Sequence, residues 1–193
     1  MKPKILVLLF IAASFSLFGG EPEKVSQCGL IIKLSNGWSA KTGNVAGKMF
    51  LRISNNNAGK PLTITLVPTK MNAPVPSERY KVILKIMAQQ QTNGDVQIVA
   101  FNSKKIDGYY FVAKNAMWEK HEKLRNVLSK YKAWGYFSLG NYMIQMTIDF
   151  NEEKNGVLKE ALSIVENIDL PKSNAPTSNP PETKEEDAKA KTD

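Results

Sequence analysis

The stretch Tyr131-Lys-Ala-Trp-Gly-Tyr-Phe-Ser-Leu-Gly-Asn-Tyr-Met-Ile-Gln-Met-Thr-Ile-Asp-Phe150 reads as a β-hairpin. Gly140-Asn141 marks a tight turn between two runs rich in aromatic and β-branched residues. In the second run Tyr142, Ile144, Met146, Ile148 and Phe150 alternate with Met143, Gln145, Thr147 and Asp149. That period of two belongs to a strand with one face on a core.

Upstream of this hairpin, residues 95–105 and 109–114 read as a further pair of strands around Asp107-Gly108, a strong hairpin-turn signal. Residues 117–129 fit two descriptions equally. The spacing of Trp118, His121, Leu124 and Leu128 allows an amphipathic helix, and a long loop with one or two helical turns fits as well. Earlier still, Ser77 is placed to cap a helix over residues 78–91, where Tyr80, Ile83, Leu84 and Met87 form one apolar stripe. Asn93-Gly94 ends it. Three prolines punctuate residues 68–76, which read as a loop. Before it, residues 48–54 (Met49, Leu51 and Ile53 on one face) and 61–67 (Leu62, Ile64 and Leu66) pair across the polar loop 55–59. A first strand, residues 30–34, stops at Ser35-Asn36-Gly37, and Trp38 then closes one end of the core. Downstream of the final hairpin, residues 155–167 form a helix with Leu158, Ala161, Leu162 and Val165 on one side. Hairpins dominate and two main helices cover them. The expected class is α+β, an antiparallel sheet of about six to seven strands flanked by those helices.

Both ends of the chain differ from this domain, which spans residues 28–170. Residues 1–20 combine basic Lys2 and Lys4 with an apolar run from Ile5 to Phe18 and small Gly19-Gly20, the order of a secretory signal. The run is shorter than the roughly 20 residues a membrane-spanning helix needs, so it reads as cleaved. Cleavage falls near Gly19 or Gly20, with Ser14-x-Ser16 as the other site. Residues 21–27 are a short lead. From residue 171 the chain is Pro-, Ser- and Asn-rich and then almost wholly charged, a composition that reads as a disordered tail. Cys28 is the sole cysteine and cannot pair within the chain. Charged residues separate it from the apolar run, against a lipid-modified cysteine, and burial beside the first strand suits it better.

The chain carries 26 basic and 18 acidic residues, a formal charge of +8. Residues 24–170 hold 20 of those bases and only 11 of the acids. Such a field suits anionic partners or serves solubility alone. The densest excess is local: Lys114, Lys120, Lys123, Arg125, Lys130 and Lys132 face only Glu119 and Glu122, with Trp118, Tyr131 and Trp134 interleaved. Lys120, Lys123, Arg125, Lys130, Lys132, Trp118 and Trp134 form the candidate binding patch. Basic and aromatic residues together can hold phosphates and stacked bases, an anionic membrane surface or an acidic protein. An exported protein rarely meets nucleic acid, which leaves an envelope protein or an anionic surface, with peripheral membrane contact as one form of it.

Catalytic constellations are not expected. A Ser-His-acid or Cys-His site would have to use His121, the single histidine, whose neighbours are Lys120 and Glu122. One histidine and one cysteine cannot fill a tetrahedral zinc site without carboxylates, and Glu119, His121 and Glu122 offer at most a weak site. Gly43-x3-Gly47 and Gly135-x4-Gly140 lack the Lys-Ser/Thr of a phosphate loop. No cofactor is expected.

Two stretches carry a family resemblance. Leu34-Ser-Asn-Gly-Trp38 resembles the Leu-Pro-x-Gly-Trp opening of PsbP-like domains, with Ser35 where proline is usual. The block from Gly135 to Ile148, with the helix after it, resembles their closing hairpin and helix. That superfamily includes the PsbP extrinsic subunit of photosystem II, the Ran-binding nuclear import factor and DcrB-type bacterial envelope proteins. The resemblance implies an α/β/α sandwich and a non-catalytic binding or assembly role, and it supplies no catalytic residues to carry over. Without a plastid transit peptide, the chain resembles the bacterial envelope branch, periplasmic or secreted. A small exported hydrolase or transferase with a scattered site is the alternative.

Overall fold

The structure, a computed structural model, describes residues 23–35, 37–55, 62–92, 96–151 and 156–171. The signal segment and almost all of the tail lie outside these residues, so both remain expectations from composition. The strands are β1 (Glu23–Gln27), β2 (Leu30–Leu34), β3 (Trp38–Val45), β4 (Lys48–Asn55), β5 (Leu62–Lys70), β6 (Val99–Ala100), β7 (Asp107–Lys114), β8 (Tyr131–Leu139) and β9 (Tyr142–Phe150). The helices are α1 (Ser77–Gln91), α2 (Ala116–Lys120) and α3 (Gly156–Glu166), with a 3-10 turn at Glu122–Leu124. Seven strands form one antiparallel sheet in the order β3-β4-β5-β9-β8-β7-β6, and β1 pairs with β2 separately.

The β8–β9 hairpin sits at the centre because its core face is apolar along its whole length and matches both neighbours. Ile53, Ile64, Ile148 and Ala133 line up across four strands, and Leu51, Leu66, Met146 and Gly135 form the next rib. Ala161, Ile164 and Val165 of α3 cover these ribs, together with Ile168 and Leu30, Ile32 and Leu34 of β2. Fully burying a valine or isoleucine contributes roughly 1.5–3 kcal/mol, so this layer carries most of the driving force. Phe101 fills the space above Gly135, edge-on to Phe137 at 5.2 Å. The opposite face, formed by the alternate residues, is covered over β7 and β8 by α1. Leu84 and Ala88 pack there on Phe111, which stacks on Trp134 at 5.0 Å. Helices thus lie on both faces of an antiparallel sheet, the α+β class expected.

Several boundaries differ from the sequence reading. β1 and β3 were not anticipated. Both are polar (Glu-Lys-Val-Ser-Gln and Trp-Ser-Ala-Lys-Thr-Gly-Asn-Val), and β3 is an edge strand that burial patterning does not mark. Their hairpins turn through Cys28-Gly29 and Ala46-Gly47, all four at positive φ, as two-residue type I′ turns require. Pro68 does not open a loop: β5 runs on to Lys70, and Pro68 pairs with Ile144. The β4–β5 ladder nevertheless ends at Leu51↔Leu66, two residues before the proline that lacks an N–H to continue it. The distal β3–β4 hairpin therefore extends beyond its neighbour, which leaves Met49 and Val45 exposed.

Asp107-Gly108 is not a turn but the start of β7, with Gly108 opposite Phe137. A Cβ at Gly108 would stand 2.2 Å from the Tyr136 carbonyl oxygen. The glycine is needed for close backbone approach. The strand read over 95–105 shrinks to Val99–Ala100. Ser77 is the first residue of α1 rather than its cap. Pro76 holds the cap position with no side-chain bond. The stripe of α1 is Tyr80, Leu84 and Ala88, while Ile83 turns outward with Val82 and Ile86. The 117–129 segment takes the second of its two readings, a loop with short helical turns.

Candidate functional site

The candidate patch lies on the segment joining β7 to β8, and its base is fixed by one asparagine. The Asn115 Oδ1 accepts the Met117 N–H at 3.1 Å and caps α2. Its Nδ2 donates to the Ser129 carbonyl at 3.0 Å, and its backbone N–H donates to the Lys130 carbonyl at 2.8 Å. The Lys130 N–H in turn donates to Asn151 Oδ1 at 2.8 Å. The two ends of the segment are thereby tied together and to the end of β9. Between them, α2, His121 and the 3-10 turn follow in short steps, and the Val127 and Leu128 N–H groups donate back to the Leu124 carbonyl.

Upon this base the side chains arrange around Trp118. The Arg125 guanidinium lies 4.8 Å from the ring centroid, and its Nε donates to the Trp118 carbonyl at 3.3 Å. Lys130 Nζ lies 5.6 Å from the same ring and 5.2 Å from that of Tyr131. Each contact is worth about 0.5–1 kcal/mol at an exposed site. Arg125 also meets Glu122 at 3.4 Å, and Lys114 meets Glu119 at 3.9 Å, both exposed pairs. Lys120 and Lys123 are exposed on the same segment.

The other two patch residues stand apart from this cluster. Lys132 is paired with Asp149 at 3.1 Å across β8 and β9, with both side chains mostly covered. Trp134 belongs to the core under α1. The structure therefore gathers Trp118, Arg125 and Lys130, places Lys120 and Lys123 beside them in the chain, and gives Lys132 and Trp134 structural contacts in the sheet. The sequence reading missed the apolar members of the surface. Met117 is 50% exposed, Leu124 39% and Val127 74%. Reading the segment as an amphipathic helix would have turned Leu124 inward. The signal that could have exposed it is the short spacing of Asn115 and His121, which bound a helix of only five residues.

Elsewhere, His121 is exposed at the end of α2, its N–H held by the Met117 carbonyl. Cys28 is half-buried at the β1–β2 turn, its Sγ 3.8 Å from the Phe50 carbonyl oxygen, and burial pushes its thiol pKa up. A thiol so placed is a poor nucleophile. Among the described residues no three His, Cys, Asp or Glu side chains are grouped to hold a metal. A recess of about 520 Å³ between β2 and α3 is lined by Lys33, Lys159, Glu160, Ser163 and Asn167 among others. Glu160 there accepts the Trp38 indole N–H at 2.8 Å. A second recess, about 380 Å³, separates the end of α1 (Gln90, Gln91) from Lys114, Glu119 and Lys120. Outside these, the Tyr109 phenol donates to Glu78 Oε1 at 2.9 Å, a bond that raises its pKa.

No family model and no curated protein matches the chain. Comparison with solved structures finds similarity to the solution structure of cyanobacterial PsbP (CyanoP) from Synechocystis sp. PCC 6803. The identity is 10% and the TM-score 0.42, over 83% of this chain and 99% of that one.

Proposed function

We propose that the protein is an exported, non-catalytic binding or assembly accessory of the bacterial envelope, acting through the 115–130 segment. The observation that carries this reading is the cluster of Trp118, Arg125 and Lys130 on a loop whose two ends are locked by Asn115. A surface held ready in this way loses little entropy on engagement. The N-terminal apolar run after Lys2 and Lys4 supports export.

The test is a crosslinking pull-down from intact envelopes using the wild type and the Lys120→Gln, Lys123→Gln, Arg125→Gln triple variant. Lys132 is left in place because its removal would take the ion-pair partner from the mostly covered Asp149. Wild type is expected to recover envelope components that the variant does not. Equal recovery at low salt would refute the reading.

A further inference from the structure

We infer that the 115–130 segment docks on an anionic lipid surface, with Met117, Leu124 and Val127 entering the headgroup region while the lysines around them meet lipid phosphates. The inference rests on the accessory reading above and names its partner. Three observations single out lipid over an acidic protein. First, the exposed apolar side chains come from three separate short pieces of backbone: α2, the 3-10 turn and the turn after it. Each is exposed, and the recess at the start of α2 is lined mainly by polar residues, Gln90, Gln91, Lys114, Glu119 and Lys120 among them. A fluid interface accepts scattered tips. A protein partner would need a shaped pocket for each.

Second, charge is complementary and of the right kind. Over residues 114–132 five lysines and one arginine face two glutamates. Lysine is depleted in protein–protein interfaces, whereas polybasic lysine segments are attracted to anionic leaflets. Third, Trp118, of the residue type enriched where a surface is apolar at one end and wet at the other, is half-buried with Arg125 and Lys130 over its ring. Apolar tips ringed by long cationic side chains form the surface an interfacial protein presents to a bilayer.

The experiment is sedimentation of the full chain, without its signal, with vesicles of phosphatidylglycerol and phosphatidylcholine, against pure phosphatidylcholine vesicles. Binding is expected only to the anionic vesicles and to weaken as salt rises. Each basic residue removed should weaken partition about fivefold, so the Lys120→Gln, Lys123→Gln, Arg125→Gln variant should lose on the order of 100-fold. The Met117→Ser, Leu124→Ser, Val127→Ser variant should keep binding at low salt and lose most of it at 0.15 M salt. Unchanged thermal unfolding of both variants excludes a folding defect. Equal binding to neutral vesicles, or equal binding by the charge variant, overturns the inference. No vesicle binding, with the pull-down difference intact, overturns it while the accessory reading stands. No vesicle binding and no pull-down difference removes both.

Discussion

Gly108 faces backbone and Gly43 faces an aromatic ring, and the two should tolerate a methyl group differently. A Cβ at Gly108 would meet the Tyr136 carbonyl at 2.2 Å and Phe137 Cα at 2.5 Å, neither of which can move without opening the β7–β8 ladder. A Cβ at Gly43 would first meet the Phe50 ring, at 2.3 Å, and a ring on a side chain can swing away where backbone cannot. We expect Gly108→Ala to cost about 3 kcal/mol and Gly43→Ala less than about 1 kcal/mol, read from denaturant midpoints at constant slope. Equal losses would contradict this account. The same glycine shows where single residues mislead: Asp-Gly signals a turn locally, and only the register of the facing strand reveals the need for close approach. Asp169 gives a pH prediction. Its carboxylate is held below the usual range first by the hydrogen bond from Lys105 Nζ at 2.6 Å, then by the charges of Lys105, Lys33 and Lys24, against some burial. A depressed folded pKa means this contribution is present above the ordinary carboxylate pKa and is lost as pH falls through the folded value. In Lys105→Met the Asp169 carboxyl should titrate nearer its ordinary pKa in an NMR titration, and the acid slope of stability should flatten. An unmoved titration would refute the pairing.

At the scale of elements, legibility followed burial. β8 and β9 could be read because their core faces alternate without a break, and α3 because Ala161 and Val165 recur at helical spacing. β3 could not, since an edge strand with Lys41 and Thr42 outward carries no such period, and β6 could not because two residues cannot show one. α1 was found but rotated in the reading. Its outward Val82 and Ile86 dilute the stripe that Tyr80, Leu84 and Ala88 make. β3 is instead fastened to the core by Trp38, which is 6% exposed and donates to Glu160 of α3 at 2.8 Å. Trp38→Phe should cost about 1.5–3 kcal/mol from that charged hydrogen bond and its lost volume. Faster amide exchange of β3, with β8 unchanged, is the measurement that shows the strand is what loosens. Wild-type stability in this variant would mean the bond contributes nothing.

The whole molecule is a sheet covered by helices on both faces, with the basic and aromatic 115–130 segment joining β7 to β8. The sandwich was largely visible in the sequence as a class, because hairpins and two amphipathic helices allow few arrangements. The site was visible in part. Charge excess marks out the 114–132 stretch, but residue type alone could not separate Lys132, tied to Asp149, from Lys120 and Lys123, which face solvent. Nor could it show Met117 and Val127 outward. The central claim, that this segment is where the protein meets its partner, is tested most directly by amide hydrogen exchange with and without isolated envelope membranes. The account predicts new protection confined to residues 115–130, with β8, β9 and α3 unchanged and the effect absent in the Lys120→Gln, Lys123→Gln, Arg125→Gln variant. Protection instead along the free edge of β3, or none anywhere in the domain, would contradict it.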